Sequence, residues 1–212
     1  MSDQQCSRLS WTDPVGQAQQ VFRLALTALS RPAQAHTFEP GPVDAAADEL
    51  PAGLSPELAA LALALCDNET TVWLAPGLDT EDVRTWFRFH CGTVLVAEPD
   101  RAAFAFVPGV EALPDLCCFH QGEAEYPDRS TTICLGGVEE RETAAITASG
   151  PGIVGNCDFS CRMPAGFLAQ WQRNHEQFPL GVDMLLCGPG RLTGLPRTTC
   201  LSPAADEVSQ CM

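Results

Sequence analysis

Apolar residues recur at helical spacing just inside the start of the chain. Val15, Ala18, Phe22, Ala25, Leu26 and Leu29 follow Asp13-Pro14, an N-cap carboxylate with proline at the first helical position. The run predicts a helix that Ser30-Arg31-Pro32 ends. Ser55-Pro56-Glu57 repeats the cap signature and opens a helix through Cys66 that is apolar on all sides, which predicts burial. A third helix starts at Thr80-Glu81-Asp82 and stops at His90-Cys91-Gly92, with glycine past its end. A fourth opens at Pro164, carries Phe167, Leu168 and Trp171, and ends near His175.

Short β-like runs fill the intervals, at residues 71–75, 93–97, 103–107, 131–135 and 145–149. Three more close the chain at 182–187, 191–195 and 198–201, around a Gly188-Pro189-Gly190 turn. Residues 39–53 read as a Pro/Gly/Asp-rich loop, and 108–129 as irregular with one helical turn near Leu116. Helices and strands alternate early while hairpins dominate late. This order predicts an α/β fold with a mixed central sheet covered by helices. Neither an internal repeat nor a domain boundary is visible. The expected organisation is a single α/β domain over 13–201 between tails at 1–12 and 202–212.

A chain of 212 residues is long enough to bury about 70% of its unfolded surface in one domain. Its 27 acidic residues against 12 basic ones give a net charge of −15. Such a surface repels nucleic acid and anionic membranes, so neither is expected as a partner. All the basic residues are arginine. Without lysine there is no Schiff base to pyridoxal phosphate and no lysine of the P-loop kind on a nucleotide phosphate. Recognition of phosphate or phosphonate must then use arginine forks, hydroxyls and backbone N–H groups. The N-terminus lacks the pattern of a signal peptide, and the longest apolar run is too short to span a bilayer. A cytoplasmic location is expected, with most of the eleven cysteines as free thiols.

Charged residues near strand ends supply the candidate chemistry. Arg197-Thr198-Thr199 offers a guanidinium fork and two hydroxyls for an oxyanion, or reads as a surface arginine with two β-branched strand residues. Asp183, after Gly181, either orients that arginine, accepts from a ribose hydroxyl or caps a turn. Arg88 and His90 stand at a helix end, where a histidine commonly satisfies terminal carbonyls. Asp67-Asn68-Glu69-Thr70 places two carboxylates between a buried helix and a strand, at a cleft or merely at a tight turn. Gly150-Pro151-Gly152 reads more as a turn than as a phosphate loop, because proline lacks an N–H. Cys157, Cys161, Cys117, Cys118 and His120 include enough ligand types for a tetrahedral metal, but not at the spacing of a common zinc motif. No metal and no cofactor is expected.

Four blocks in register look familiar: 67–74 (Asp-Asn-Glu-Thr-Thr-Val-Trp-Leu), 86–90 (Trp-Phe-Arg-Phe-His), 178–186 and 195–199. Together they resemble the H-subunit family of the bacterial carbon–phosphorus lyase of phosphonate catabolism, from about residue 15 to 199. Residues 39–53 and 108–161 match that family poorly. The resemblance implies a three-layer α/β/α fold similar to the large domain of pyridoxal-phosphate-dependent transferases, without the cofactor. It implies work with the G, I and J subunits, and transiently L, as a homodimer. The joint product is α-D-ribose 1-methylphosphonate 5-triphosphate, made from ATP and methylphosphonate with release of adenine. A nucleotide or phosphonate ligand would then meet a cleft lined by Arg197, Thr198, Thr199, Arg88, His90, Asp67, Glu69 and Asp183. Two other readings stand beside this one. One is a non-catalytic assembly subunit of the same complex; the other is an unrelated metal- or thiol-dependent enzyme.

Overall fold

The computed structural model describes residues 13–37, 50–138 and 145–204. The expected tail at 1–12 and most of the expected loop at 39–53 lie outside these. Helix α1, Pro14–Ser30, begins as its sequence predicts: the Asp13 side chain accepts from Gly16 N at 3.0 Å. Ser55 caps α2, Pro56–Leu65, and Thr80 caps α3, Glu81–His90, each hydroxyl accepting from an N–H of the first turn at 3.3 Å. Helix α4 spans Phe167–Glu176. It starts three residues after the expected Pro164, because Gly166 at φ 79° turns the chain out of helical geometry.

The strands are β1 (Ala35–Thr37), β2 (Thr71–Leu74), β3 (Val94–Leu95), β4 (Phe104–Val107), β5 (Thr132–Leu135), β6 (Ala145–Ser149), β7 (Cys157–Ser160), β8 (Asp183–Gly188), β9 (Arg191–Leu195) and β10 (Cys200–Pro203). Seven of them form a mixed sheet in the order β1-β9-β8-β5-β4-β2-β3. The run from β8 to β3 is parallel, while β9 and β1 add antiparallel pairs at one side. The other three make a separate antiparallel sheet, β10-β6-β7. That second sheet was not expected, nor were β1 and β7. A three-residue strand is too short to show a period, and β7 offers one apolar position, Phe159, among Cys, Asp and Ser. The last strand reaches Pro203, two residues beyond the expected domain end.

Two cores lie on opposite faces of the large sheet. On one face Val72, Leu74, Phe106, Cys134 and Leu185 meet α1, α2 and α3. On the other, Trp73, Ala105, Val107, Ile133 and Met184 meet Phe167 and Trp171 of α4, and Ile146 and Ala148 of the small sheet. Burial on both sides explains why β2, β4, β5 and β8 read as continuous apolar runs rather than alternating ones. The second covering layer is thus a helix plus a sheet, not helices alone.

Where α1 crosses β9, the approach is close enough to require glycine. A Cβ on Gly194 would stand 2.4 Å from the Ala28 carbonyl carbon and oxygen. Gly194→Ala is expected to force helix and strand apart and to lower stability by about 2 kcal/mol. Gly109→Ala is the control, since its φ is −176° and a Cβ there meets no described atom within 4 Å. Urea denaturation of both variants checks this, and equal midpoints would show that α1 does not bear on β9 through Gly194.

Candidate functional site

All eight sequence candidates fall along one rim of the large sheet, the amino ends of the parallel strands. Open α/β sheets more commonly bind ligands at the carboxyl ends. At the carboxyl ends here the backbone is tightly packed: a Cβ on Gly136 would lie 2.9 Å from Leu58 Cδ1, and one on Gly137 3.0 Å from the Pro108 carbonyl oxygen. The rim residues form two groups. One precedes β2 and β3, the other surrounds the start of β8. Three inter-strand steps separate β2 from β8, about 14 Å. The fold therefore does not gather the eight into one cluster.

The first group is largely self-satisfied. Asp67 accepts from Thr70 Oγ1 at 2.6 Å and from Glu69 N at 3.0 Å, which closes the turn into β2. The Thr70 hydroxyl, then the Glu69 amide, hold the Asp67 carboxyl below the usual carboxylate range. Glu69 is exposed, and Arg88 makes a loose, exposed ion pair with Glu81 at 3.7 Å. His90 packs on Trp86, ring centroids 4.9 Å apart, and partial burial lowers its basicity.

The second group is built around Arg197. Its Nε and Nη2 reach Asp183 Oδ1 and Oδ2 at 3.1 and 2.5 Å, and its backbone N–H adds a bond to Oδ1 at 2.7 Å. Nη1 donates to the carbonyls of Pro127 and Pro179 at 2.9 and 3.1 Å, while Nη2 also donates to Ser130 Oγ. All five side-chain N–H groups are thereby engaged within the protein. The side chains of Arg197 and Asp183 are only 11% and 21% exposed. Thr199 is fully buried and its Oγ1 has no hydrogen-bond partner among the described residues, while its carbonyl accepts from Trp171 Nε1 at 2.8 Å. Thr198 is half-buried, its carbonyl oxygen 2.9 Å from where a Gly150 Cβ would stand. In this state Arg197 is a clamp, and an anion reaches it only by displacing a protein partner. Gly150-Pro151-Gly152 forms a packed turn, with Ile153 N donating to the Gly150 carbonyl.

An open cavity of about 110 Å³ has a lining that includes Asp115, Cys117, Gln121, Gln170, Arg173 and Gln177. Gln121 Nε2 donates to the Leu116 and Phe119 carbonyls, Gln170 Oε1 accepts from Leu116 N, and Gly181 N donates to the Gln121 carbonyl. Asn174 joins the cavity wall to the start of β8: its amide donates to Val182 O at 3.0 Å and accepts from Val182 N at 2.7 Å. Arg173 is exposed and has no hydrogen bond or ion pair among the described residues. Sequence reasoning missed this cavity. Its residues come from two distant segments, and Arg173 carries no motif of its own.

The side chains considered for a metal do not converge. Cys161 is buried, with its thiol pushed up to about 12 by desolvation; Cys117 and Cys118 are exposed; His120 Nδ1 accepts from Gly122 N. Among the described residues, no three His, Cys, Asp or Glu side chains are grouped as a metal ion needs.

Comparison with known sequences adds the last observation. Residues 9–202 match the family described as bacterial phosphonate metabolism protein (PhnH). The chain is 36% identical over 192 residues to the α-D-ribose 1-methylphosphonate 5-triphosphate synthase subunit PhnH of Rhizobium meliloti (strain 1021), which spans 90% of this chain and 92% of that protein.

The clamp makes a direct prediction. Arg197→Ala leaves a largely buried carboxylate and two carbonyls without their donor, and is expected to cost about 3 kcal/mol or more. Arg197→Lys should recover little of this, since one ammonium cannot serve five fixed positions. Guanidinium denaturation of both variants decides the matter; a loss below about 1 kcal/mol for Arg197→Ala would be that of a surface pair.

Proposed function

The chain belongs to the PhnH family of bacterial phosphonate metabolism proteins, and from that premise we propose that it is a subunit of a carbon–phosphorus lyase core complex. Its role there is in forming α-D-ribose 1-methylphosphonate 5-triphosphate from ATP and methylphosphonate, with release of adenine. The family match across nearly the whole chain is the observation that carries this reading. The proposal includes assembly with the G, I and J subunits, transiently L, a homodimeric state, cytoplasmic location and transferase chemistry shared across the complex. Kinship with the large domain of pyridoxal-phosphate-dependent transferases belongs to it too, supported by the mixed seven-stranded sheet.

Within that role we place ligand contact at the Arg173 cavity, with Arg197 and Asp183 positioning its neighbourhood and Thr198 and Thr199 supporting them. A guanidinium without a partner among the described residues, beside four side-chain amides, suits an anionic headgroup. A cavity of about 110 Å³ takes a phosphonate-sized group rather than a whole nucleotide. The first rim group, Asp67, Glu69, Arg88 and His90, would extend the polar surface towards a partner or a longer ligand.

One observation favours the assembly reading beside it. Val15, Phe22 and Leu26 are 68%, 46% and 53% exposed, and their spacing aligns them in a single stripe along α1. An apolar stripe on an otherwise acidic protein suits a subunit contact.

Growth of a strain lacking this gene, with methylphosphonate as the phosphorus source, separates the two. The native gene should restore growth, and growth on inorganic phosphate should never be lost. Arg173→Ala should fail to restore growth while still co-purifying with the other subunits. Phe22→Asp with Leu26→Asp should lose co-purification. If Arg173→Ala grows as well as the native form, the cavity plays no part and assembly carries the function. Growth of the deletion strain on methylphosphonate would overturn both.

A further inference from the structure

We propose that Cys200 and His175 form a nucleophilic thiol pair, a modification site for small neutral peroxides. The inference stands independently of the phosphonate reading. Cys200 is exposed at the start of the edge strand β10, and its Sγ lies 3.1 Å from His175 Nε2. The other ring nitrogen, Nδ1, is 2.9 Å from the Arg197 carbonyl oxygen. A carbonyl can only accept, so the neutral ring carries its proton on Nδ1 and turns a lone pair on Nε2 towards the thiol. Nucleophile, base and a third group that orients the base are the three parts of an activated thiol.

The other described thiols lack this arrangement. Burial pushes Cys66, Cys134 and Cys187 far above the ordinary thiol range and Cys91 and Cys161 up to about 12, which leaves them inert. Cys117 and Cys118 are exposed, but neither bonds to an imidazole among the described residues. The acidic chain disfavours anionic disulfides as reagents and leaves neutral peroxides unhindered.

The step balances without a metal. The Sγ proton passes to His175 Nε2 as sulfur attacks one peroxide oxygen. The O–O bond breaks, sulfur is oxidised by two electrons, and the departing hydroxide takes the proton back from Nε2. Thiol and hydrogen peroxide give sulfenic acid and water. The changed group then sits against the imidazole whose Nδ1 bonds the Arg197 backbone carbonyl.

The test uses the reduced full-length protein at pH 7 with hydrogen peroxide and dimedone, following label at each cysteine by peptide mass spectrometry. Label should accumulate on Cys200 about tenfold or more faster than on Cys117 or Cys118. His175→Asn keeps an N–H donor for the Arg197 carbonyl and removes the base, and should bring Cys200 down to the rate of Cys117. Comparable rates for Cys200 and Cys117 in the unaltered protein overturn the proposal, whatever the variant does. So does an unchanged Cys200 rate in a His175→Asn protein that melts as the native form does.

Discussion

The saturation of Arg197 by the protein is the constraint on which the rim of the large sheet depends. One guanidinium ties the first residue of β8, the end of the β9 hairpin, the turn at 127–130 and the loop at Pro179. The open end of the β8–β9 hairpin and two loops thus meet at a single planar fork. A largely buried ion pair of this kind gives little net stability over an apolar replacement, but breaking it leaves charge stranded. Its value is therefore geometric. The same saturation removes Arg197 from the supply of free cations, while Arg173, in the cavity wall that Asn174 links to β8, has no partner among the described residues.

Polarity of the sheet sharpens that point. Helices α2, α3 and α4 each run into a parallel strand, so their carboxyl ends face the rim where the charged residues cluster. Helix carboxyl ends carry partial negative charge, and the chain as a whole is acidic. None of α2, α3 and α4 turns its amino terminus to an anion at this rim, unlike the helix that receives a nucleotide at the usual edge of an α/β sheet. Binding there falls to arginine forks, side-chain amides, hydroxyls and backbone N–H groups. Arg173 sits in the last turn of α4, where the helix end also favours a cation, so its position serves local stability whether or not a ligand comes.

Much of this architecture was legible in the sequence. Asp13, Ser55 and Thr80 mark three helix starts by a cap chemistry that needs only local residues, and the structure uses each one. The apolar runs of β2, β4, β5 and β8 announce strands buried on both faces. What stayed hidden depends on partners far apart in sequence. β1 and β7 exist because β9 and β6 offer them an edge, not because their own residues demand a strand. The site followed the same rule. Reading charged residues at strand ends found the rim, and even Asp183 as a companion for Arg197, but not that Pro127, Ser130 and Pro179 use up the remaining donors. Nor could it find a cavity assembled from 115–121 and 170–177.

The distribution of unsatisfied groups argues for a protein that works with others. Its most conspicuous arginine is consumed internally, its carboxylate turn before β2 is closed on itself, and the small cavity beside α4 is open rather than enclosing. Among the described residues an apolar stripe of Val15, Phe22 and Leu26 stands outward on a helix whose other face is held against β9 at Gly194. Tight packing beneath the stripe gives it a fixed shape, and a rigid apolar face loses little entropy on docking. A saturated clamp at the rim and a rigid apolar stripe on α1 fit a chain of the PhnH family, one of whose members is a subunit of a synthase.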